Sequence, residues 1–145
     1  MTHGGPGHTH PADPQTPEED MTTRSRTLTI TAAVATVFGL LTIVSGGRAL
    51  FGGVDMGAAV PFVLWFNFLA GFAYVLAGIG LWRGAGWAPM LSLGIALATV
   101  AVFTAFLWHV VSGGAWEART MGAMILRSSI WITIAALAFR GRRTH

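Results

Sequence analysis

The sequence predicts an all-α integral membrane protein, a four-helix bundle preceded by a disordered N-terminal tail. Of the 145 residues, 53% are hydrophobic and only 10% are charged, whereas a soluble globular domain carries about 25% charged residues. Four apolar runs cover residues 28–44, 60–81, 90–111 and 121–139. Each run is close to the ~20 residues that a helix needs to cross a bilayer. These observations exclude a conventional soluble enzyme and a chain that is disordered throughout.

Residues 1–26 have a different composition from the rest of the chain and are predicted to form the disordered tail. They are rich in histidine, glycine, proline and threonine, they include an acidic run at 18–20, and they offer little apolar surface to bury. The order of residues also differs from a secretory signal peptide, which starts basic and then becomes apolar. Met21 would itself make an ordinary start, so translation from Met1 or from Met21 remains open.

The tail carries the one candidate metal site in the sequence. Three histidines, His3, His8 and His10, lie within eight residues, and neutral imidazoles bind copper, nickel and zinc. The tail therefore predicts a possible divalent metal site. No other cofactor is expected, and the absence of cysteine excludes disulfides and thiolate ligands.

Residues 27–141 are predicted to form one domain of four transmembrane helices. In lipid the backbone polar groups must pair within the chain, and runs of this length satisfy them as helices. Glycine-rich loops are expected at 45–59 and 112–120. A tight turn at 83–86 is flanked by Trp82 and Trp87, which are typical of a membrane interface.

The arginines predict the orientation in the membrane. Four spans place both termini and the turn at Arg83 on one side. Six arginines lie on that side: Arg24, Arg26, Arg83, Arg140, Arg142 and Arg143. Because basic residues accumulate on the cytoplasmic side, we expect cytoplasmic termini in a bacterial inner membrane. The net charge is +3. Because the arginines flank the apolar runs, orientation in the membrane explains this basic character, and no nucleic-acid partner is expected.

Small residues at helical spacing predict how the helices pack, because helices in lipid associate through close backbone approach. The stripes are Ala32, Ala35, Gly39, Thr42 and Gly46 on the first helix, Asn67, Gly71, Tyr74 and Gly78 on the second, and Gly94, Ala98, Ala101 and Ala105 on the third. The same surfaces would also suit a homo-oligomer or a membrane-protein partner, so the spacing leaves the oligomeric state open.

Polar residues at membrane depth predict a ligand pocket that faces outward, because such residues are costly in lipid. The candidates are Asn67, Tyr74, His109 and Arg127, and the charges in the outer loops just above them are Arg48, Asp55, Glu117 and Arg119. Arg127 has two interpretations. Its side chain either lines this pocket or faces lipid and extends its guanidinium to the interface.

The sequence predicts no catalytic residues. The acids Asp55 and Glu117 are confined to loops, and His109 is the one histidine within the membrane domain. Nucleophilic triads, zinc-protease helices and nucleotide-binding glycine motifs are not found. A haem held between two helices is also not expected, since it would need a second buried histidine.

Two segments resemble the DoxX-like group of small bacterial four-helix membrane proteins. One runs from Val37-Phe38-Gly39 to Ser45-Gly46-Gly47-Arg48-Ala49-Leu50, and the other from Phe66-Asn67-Phe68-Leu69-Ala70-Gly71 to Gly78-Ile79-Gly80-Leu81. The resemblance implies a four-helix membrane fold and a link to redox or stress-associated membrane complexes. The group often has an acid near the start of its second helix, where this chain has Asn67.

The sequence as a whole favours a non-enzymatic accessory or small-solute-binding subunit of a membrane complex. Two alternatives stay open. One is a small transporter or channel element that uses the outward-facing pocket, and the other is a metal-handling protein that uses the histidines of the tail.

Overall fold

The computed structural model describes Met1 and residues 17–53, 55 and 57–142. These residues form four α-helices: α1 (Pro17–Phe51), α2 (Pro61–Trp82), α3 (Ala88–Val111) and α4 (Ala118–Arg142). All four helices are long and apolar enough to cross a membrane. The predicted fold class is therefore confirmed, and the chain is a multi-pass membrane protein.

Helix α1 is longer than predicted at both ends. It begins at Pro17, so residues 17–26 are helical, whereas we expected them to belong to a disordered tail. A proline followed by acidic residues suits the first turn of a helix. The hydroxyls of Thr27 and Thr29 donate to backbone carbonyls one turn earlier, which is compatible with a continuous helix.

The C-terminal end of α1 extends through Gly46-Gly47 to Phe51, although the sequence placed a loop from residue 45. The reason is a close contact with α2. A Cβ added at Gly46 would lie 3.1 Å from the Cβ of Phe68. These glycines therefore allow two helices to approach each other and do not end α1.

The other three helices agree with the predicted runs to within a few residues. The turn between α2 and α3 is tight because Gly84 adopts a left-handed φ of 65°, which glycine tolerates without strain. The amide of Ala85 donates to the carbonyl of Gly80 at 2.9 Å. Pro89 lies in the first turn of α3, where its missing N–H costs no helical hydrogen bond.

Each helix packs against the next along the chain, and α1 contacts α4 less extensively than it contacts α2. The larger core cluster includes Tyr74, Leu81, Ile95 and Trp131. Because successive helices alternate in direction, the α1–α2 and α3–α4 loops lie at one end of the bundle, called here the loop end. The α2–α3 turn lies at the other end, called the turn end.

The small-residue stripes of α1 and α2 face the bundle as predicted. Ala32, Ala35, Gly39, Thr42 and Gly46 of α1 are all buried, as are Gly71, Tyr74 and Gly78 of α2, whereas Asn67, the remaining member of the α2 stripe, is half-buried.

The prediction for α3 was wrong. Gly94, Ala98, Ala101 and Ala105 are exposed, and the buried face carries Ser92, Ile95, Ala96, Thr99 and Phe106. Helix α3 is apolar on every side, so its pattern contains little information about which face is buried.

Exposed tryptophans mark both ends of the bundle. Trp65, Trp108 and Trp116 lie at the loop end, and Trp82 and Trp87 lie at the turn end. Tryptophan is enriched at both membrane interfaces, so the two groups bracket the apolar part of the bundle. Trp131, in contrast, is fully buried in the core.

Candidate functional site

A cavity of about 510 Å³ opens between α1, α2 and α4 in the loop-end half of the bundle. We call it the arginine cavity, because its lining includes Arg48, Arg119 and Arg127 together with Asn67. The polar lining also includes Thr42, Ser45 and Thr120, and apolar residues such as Leu41, Val44 and Leu64 complete it. None of the residues that line this cavity is acidic.

Arg127 is the deepest charged group in the described part of the chain. It lies nine residues into α4, which is ~14 Å along the helix axis, and it is only 7% exposed. Its Nη1 approaches the Sδ of Met124 at 3.9 Å, and its Cζ lies 5.7 Å from the centre of the Phe38 ring. Its Nε has no hydrogen-bond partner.

These contacts compensate the charge of Arg127 only weakly. A thioether is a poor acceptor, and a cation on a phenyl ring gains about 0.5–2 kcal/mol. A guanidinium at this depth carries a cost of about 2.5–3.5 kcal/mol on insertion scales. Of the two interpretations left open by the sequence, the burial of Arg127 favours the one in which its side chain lines a pocket.

Arg48 and Arg119 lie at helix ends, although the sequence placed them in the outer loops. Arg48 is in the last turn of α1, and Arg119 is in the first turn of α4. Both side chains are exposed and line the arginine cavity. Residues 119, 123 and 127 are four apart and therefore share one helix face. That spacing was visible in the sequence and could have assigned Arg119 to the same site as Arg127.

Sequence reasoning missed the contribution of α1 to the cavity. Thr42, Ser45 and Arg48 recur at intervals of three, which places them along one face of a helix. This signal was hidden because the first helix was predicted to end at residue 44.

Asn67 occupies the position that the sequence predicted. It lines the arginine cavity from α2, and its buried Oδ1 has no hydrogen-bond partner. Asn67 and Arg127 therefore line one cavity from two different helices, and each has a buried polar atom without a partner.

Tyr74 is not part of the cavity lining, although it was predicted to belong to the pocket. It is fully buried. Its ring stacks on Phe38 at a centroid distance of 5.9 Å and contacts Trp131 in a tilted arrangement at 4.5 Å. It lies seven residues beyond Asn67 on α2, or ~10 Å deeper. Phe38, Tyr74 and Trp131 therefore form an aromatic layer below the arginine cavity.

His109 also lies apart from the arginine cavity, because α3 does not contribute to its lining. The Nε2 of His109 is 3.1 Å from the carbonyl oxygen of Ala115 and donates to it. The ring also meets Phe62 edge-to-face at 6.5 Å. His109 thus connects the last turn of α3 to the following loop, and the structure does not bring it together with Asn67 and Arg127.

The two acids of the outer loops bind backbone amides. Asp55 accepts a hydrogen bond from the amide of Gly57 at 2.9 Å. Glu117 accepts one from the amide of Ala58 at 3.1 Å, and this bond joins the α3–α4 loop to the α1–α2 loop. The carboxylates therefore organise the loop end, and the arginines face the cavity.

No group of three histidine, aspartate or glutamate side chains that could hold a metal occurs among the described residues. The histidines at positions 3, 8 and 10 lie outside those residues, so the metal site in the tail stays a prediction.

Comparison with known proteins identified no relative. No family model, no curated protein and no solved structure matches this chain. The resemblance to the DoxX-like group therefore stays a prediction from the sequence.

Proposed function

We propose that this chain is a non-enzymatic membrane subunit that binds an anionic ligand in the arginine cavity. The observation that carries the proposal is the buried guanidinium of Arg127, with an unpaired Nε, in a cavity that two further arginines line. A hydrogen bond between an ionised donor and an ionised acceptor is about twice as strong as a neutral one. Weak solvation at this depth strengthens the attraction further.

The composition of the cavity supports binding over catalysis. General acid–base chemistry uses side chains such as histidine or a carboxylate, placed within hydrogen-bond reach of the substrate. The lining offers three guanidinium groups, one amide and three hydroxyls. This set attracts an anion and fixes its orientation.

The aromatic layer supports binding over transport. Below Arg127, the rings of Phe38, Tyr74 and Trp131 pack against one another, and Tyr74 and Trp131 are fully buried. Inside the bundle, a ligand in the arginine cavity therefore meets packed rings in the direction of the turn end. This closed floor is typical of a binding site and unlike a continuous path across the bundle.

The proposed orientation places the arginine cavity in the outer half of a bacterial inner membrane, with cytoplasmic termini. Reporter fusions at His145 and within Gly52-Gly53 test it. A cytoplasmic reporter should be active at His145, and a periplasmic reporter should be active in the α1–α2 loop. Activity of a periplasmic reporter at His145 would contradict the orientation, which rests on the unequal distribution of arginines.

Thermal stabilisation of the purified full-length chain by anions tests the binding function. In an uncharged detergent, the chain would be titrated with inorganic phosphate, glycerol 3-phosphate, oleate and phosphatidylglycerol. A ligand that binds only the folded state raises stability with concentration. We expect at least one of these anions to do so.

The matched variants are Arg127→Gln and Arg140→Gln, since Arg140 is an exposed arginine in the last turn of the same helix. Loss of the hydrogen bond from Arg127 should weaken binding roughly 10- to 100-fold, and Arg140→Gln should leave it unchanged. The proposal fails if no anion stabilises the parent chain, or if both variants respond like the parent.

A further inference from the structure

A second cavity lies on the same side of the bundle as the arginine cavity. Its volume is about 320 Å³, and α1 and α4 alone line it, through residues such as Ile30, Val34, Ile134 and Leu137. The arginine cavity also lies along these two helices, nearer the loop end. We call the whole contact between α1 and α4 the seam, and the second cavity the lower cavity.

The lower cavity is apolar in practice, although three hydroxyl residues line it. Thr31 donates to the carbonyl of Thr27 at 2.7 Å, Ser129 to that of Ile125 at 2.9 Å, and Thr133 to that of Ser129 at 2.8 Å. Each hydroxyl hydrogen is thus used within its own helix, which leaves methyl and methylene groups as the main surface for a ligand.

The arginine cavity has the opposite chemistry. Its buried polar atoms include the Nε of Arg127 and the Oδ1 of Asn67, and both lack partners. The contact between Arg127 and Phe38 crosses the seam from α4 to α1 and lies between the two cavities. Polar groups therefore precede apolar ones along the seam, from the loop end towards the turn end.

The seam is long enough to hold a membrane lipid. Arg119 and Leu137 line its two ends on α4, and the eighteen helical steps from one to the other correspond to ~27 Å. One leaflet, including its head groups, is about 20–22 Å thick. A lipid with its head group among the arginines therefore has enough seam to reach the lower cavity with an acyl chain.

The seam also opens towards the surrounding lipid. Leu41 and Val44 line the arginine cavity and are 62% and 59% exposed, and Val34 lines the lower cavity and is 45% exposed. These side chains lie in a membrane-spanning helix, where exposed apolar groups face acyl chains.

We infer that the seam holds an anionic phospholipid that enters sideways from the bilayer, with its head group in the arginine cavity and an acyl chain in the lower cavity. The inference rests on the proposed binding function and names the class of ligand. The acyl chain gains little hydrophobic energy in the seam, because the surrounding lipid is already as apolar as the protein surface. The charge of the head group therefore decides which lipid is bound, and the acyl chain holds the head group at the depth of the arginine cavity.

Native mass spectrometry of the full-length chain tests the inference. The chain would be released from phosphatidylcholine nanodiscs that contain a minor fraction of phosphatidylglycerol, and the retained lipid identified. Separate arms would add inorganic phosphate or glycerol 3-phosphate, which carry the anionic chemistry without an acyl chain. We expect selective retention of phosphatidylglycerol and weak binding of both soluble anions.

Two pairs of variants separate the contribution of the head group to binding from that of the acyl chain. Arg119→Gln and Arg127→Gln should each reduce retention of phosphatidylglycerol about tenfold or more. Val34→Trp fills the lower cavity and should reduce it about tenfold. Val100→Trp is the matched control, because Val100 is an exposed valine of α3, away from the seam, and it should leave retention unchanged.

The outcomes distinguish this inference from the proposed function. Equal retention of phosphatidylcholine, or no effect of Val34→Trp, would overturn the lipid inference. If inorganic phosphate or glycerol 3-phosphate still bound in an Arg127-dependent way, the binding function would stand without it. If no anion bound in any arm, both would be overturned.

Discussion

Helix α1 meets its two neighbours in opposite ways. Towards α2, small residues bring the backbones together: a Cβ added at Gly71 would lie 2.7 Å from the Cγ1 of Ile43 and 3.2 Å from the carbonyl oxygen of Gly39. Towards α4, the long side chains of Phe38 and Arg127 meet across the seam, with a cavity on either side of them.

The comparison separates stability from binding. Close packing between α1 and α2 supplies van der Waals contact, which is the main source of helix association in lipid. The seam has less of this contact and instead contains two cavities, of which the arginine cavity is lined by polar groups. Mutations on the two sides of α1 should therefore have different consequences.

The largest effect is expected for Gly78→Ala at the α1–α2 interface. The added Cβ would lie 2.9 Å from the amide nitrogen of Thr36 and 3.0 Å from the carbonyl oxygen of Ala32, so the backbones must separate. We expect the free energy of unfolding to fall by about 1–3 kcal/mol, measured by thermal unfolding in one detergent.

Gly94→Ala is the control for this change, because a Cβ at Gly94 meets nothing within 4 Å. Alanine is the better helix former, so this variant should gain about 0.5–1 kcal/mol. A Gly78→Ala variant that is as stable as Gly94→Ala would show that glycine spacing does not create the contact between α1 and α2.

On the seam, Arg127→Leu should stabilise the bundle by about 1–2 kcal/mol, because it removes a weakly compensated cation from membrane depth. Arg140→Leu provides the control, since Arg140 is exposed in the last turn of α4 and its loss should change stability by less than about 0.5 kcal/mol. Thermal unfolding measures both. A less stable Arg127→Leu variant would mean that the guanidinium supports the packing of α1 on α4.

The sequence predicts the depth of a residue in the membrane better than the face of the helix on which that residue lies. Depth was readable, because each residue advances a helix by 1.5 Å, so Asn67 and Arg127 were placed in the same half of the bundle. Rotation about the helix axis was not readable where every face is apolar. For that reason the small stripe of α3 was assigned to the wrong face, and His109 was grouped with a cavity that α3 does not line.

Helix ends were predicted well where proline, glycine and tryptophan mark them, as at Pro61 and around Gly84. They were predicted poorly in α1, because its glycines resemble a loop and its threonines lower its apolar character. The shortened helix also placed Arg48 in a loop. Only the contacts between helices show that Gly46 meets Phe68 and that Arg48 lines the arginine cavity.

A smaller effect is expected at the loop end for Glu117→Ala. Its Oε1 accepts the hydrogen bond from the amide of Ala58 and so connects the loops at the ends of both interfaces. Its removal should cost about 1 kcal/mol in thermal unfolding. Glu117→Gln keeps an acceptor oxygen and should recover most of that loss. Equal losses in the two variants would show that the charge, and not the hydrogen bond, is what matters.

The smallest effect is expected for Thr133→Val in the lower cavity. The hydroxyl of Thr133 already donates to the carbonyl of Ser129 within its own helix, so it offers little to a ligand, and valine keeps the branched shape. Stability should change by less than about 0.5 kcal/mol, and retention of phosphatidylglycerol should stay at the parent level.

Asn67→Leu makes the corresponding polar-to-apolar change in the arginine cavity, where the Oδ1 has no partner within the protein. As an acceptor, this oxygen can take a hydrogen bond from a glycerol hydroxyl of the head group but not from its phosphate. This variant should reduce retention of phosphatidylglycerol about five- to tenfold, the equivalent of one neutral hydrogen bond. Native mass spectrometry of both variants from the same nanodiscs makes the comparison. If Thr133→Val lost as much lipid as Asn67→Leu, the hydroxyls of the lower cavity would be ligand groups, and the division of the seam into a polar and an apolar half would be wrong. If neither variant lost lipid while Arg127→Gln did, the guanidinium would account for recognition without help from the amide.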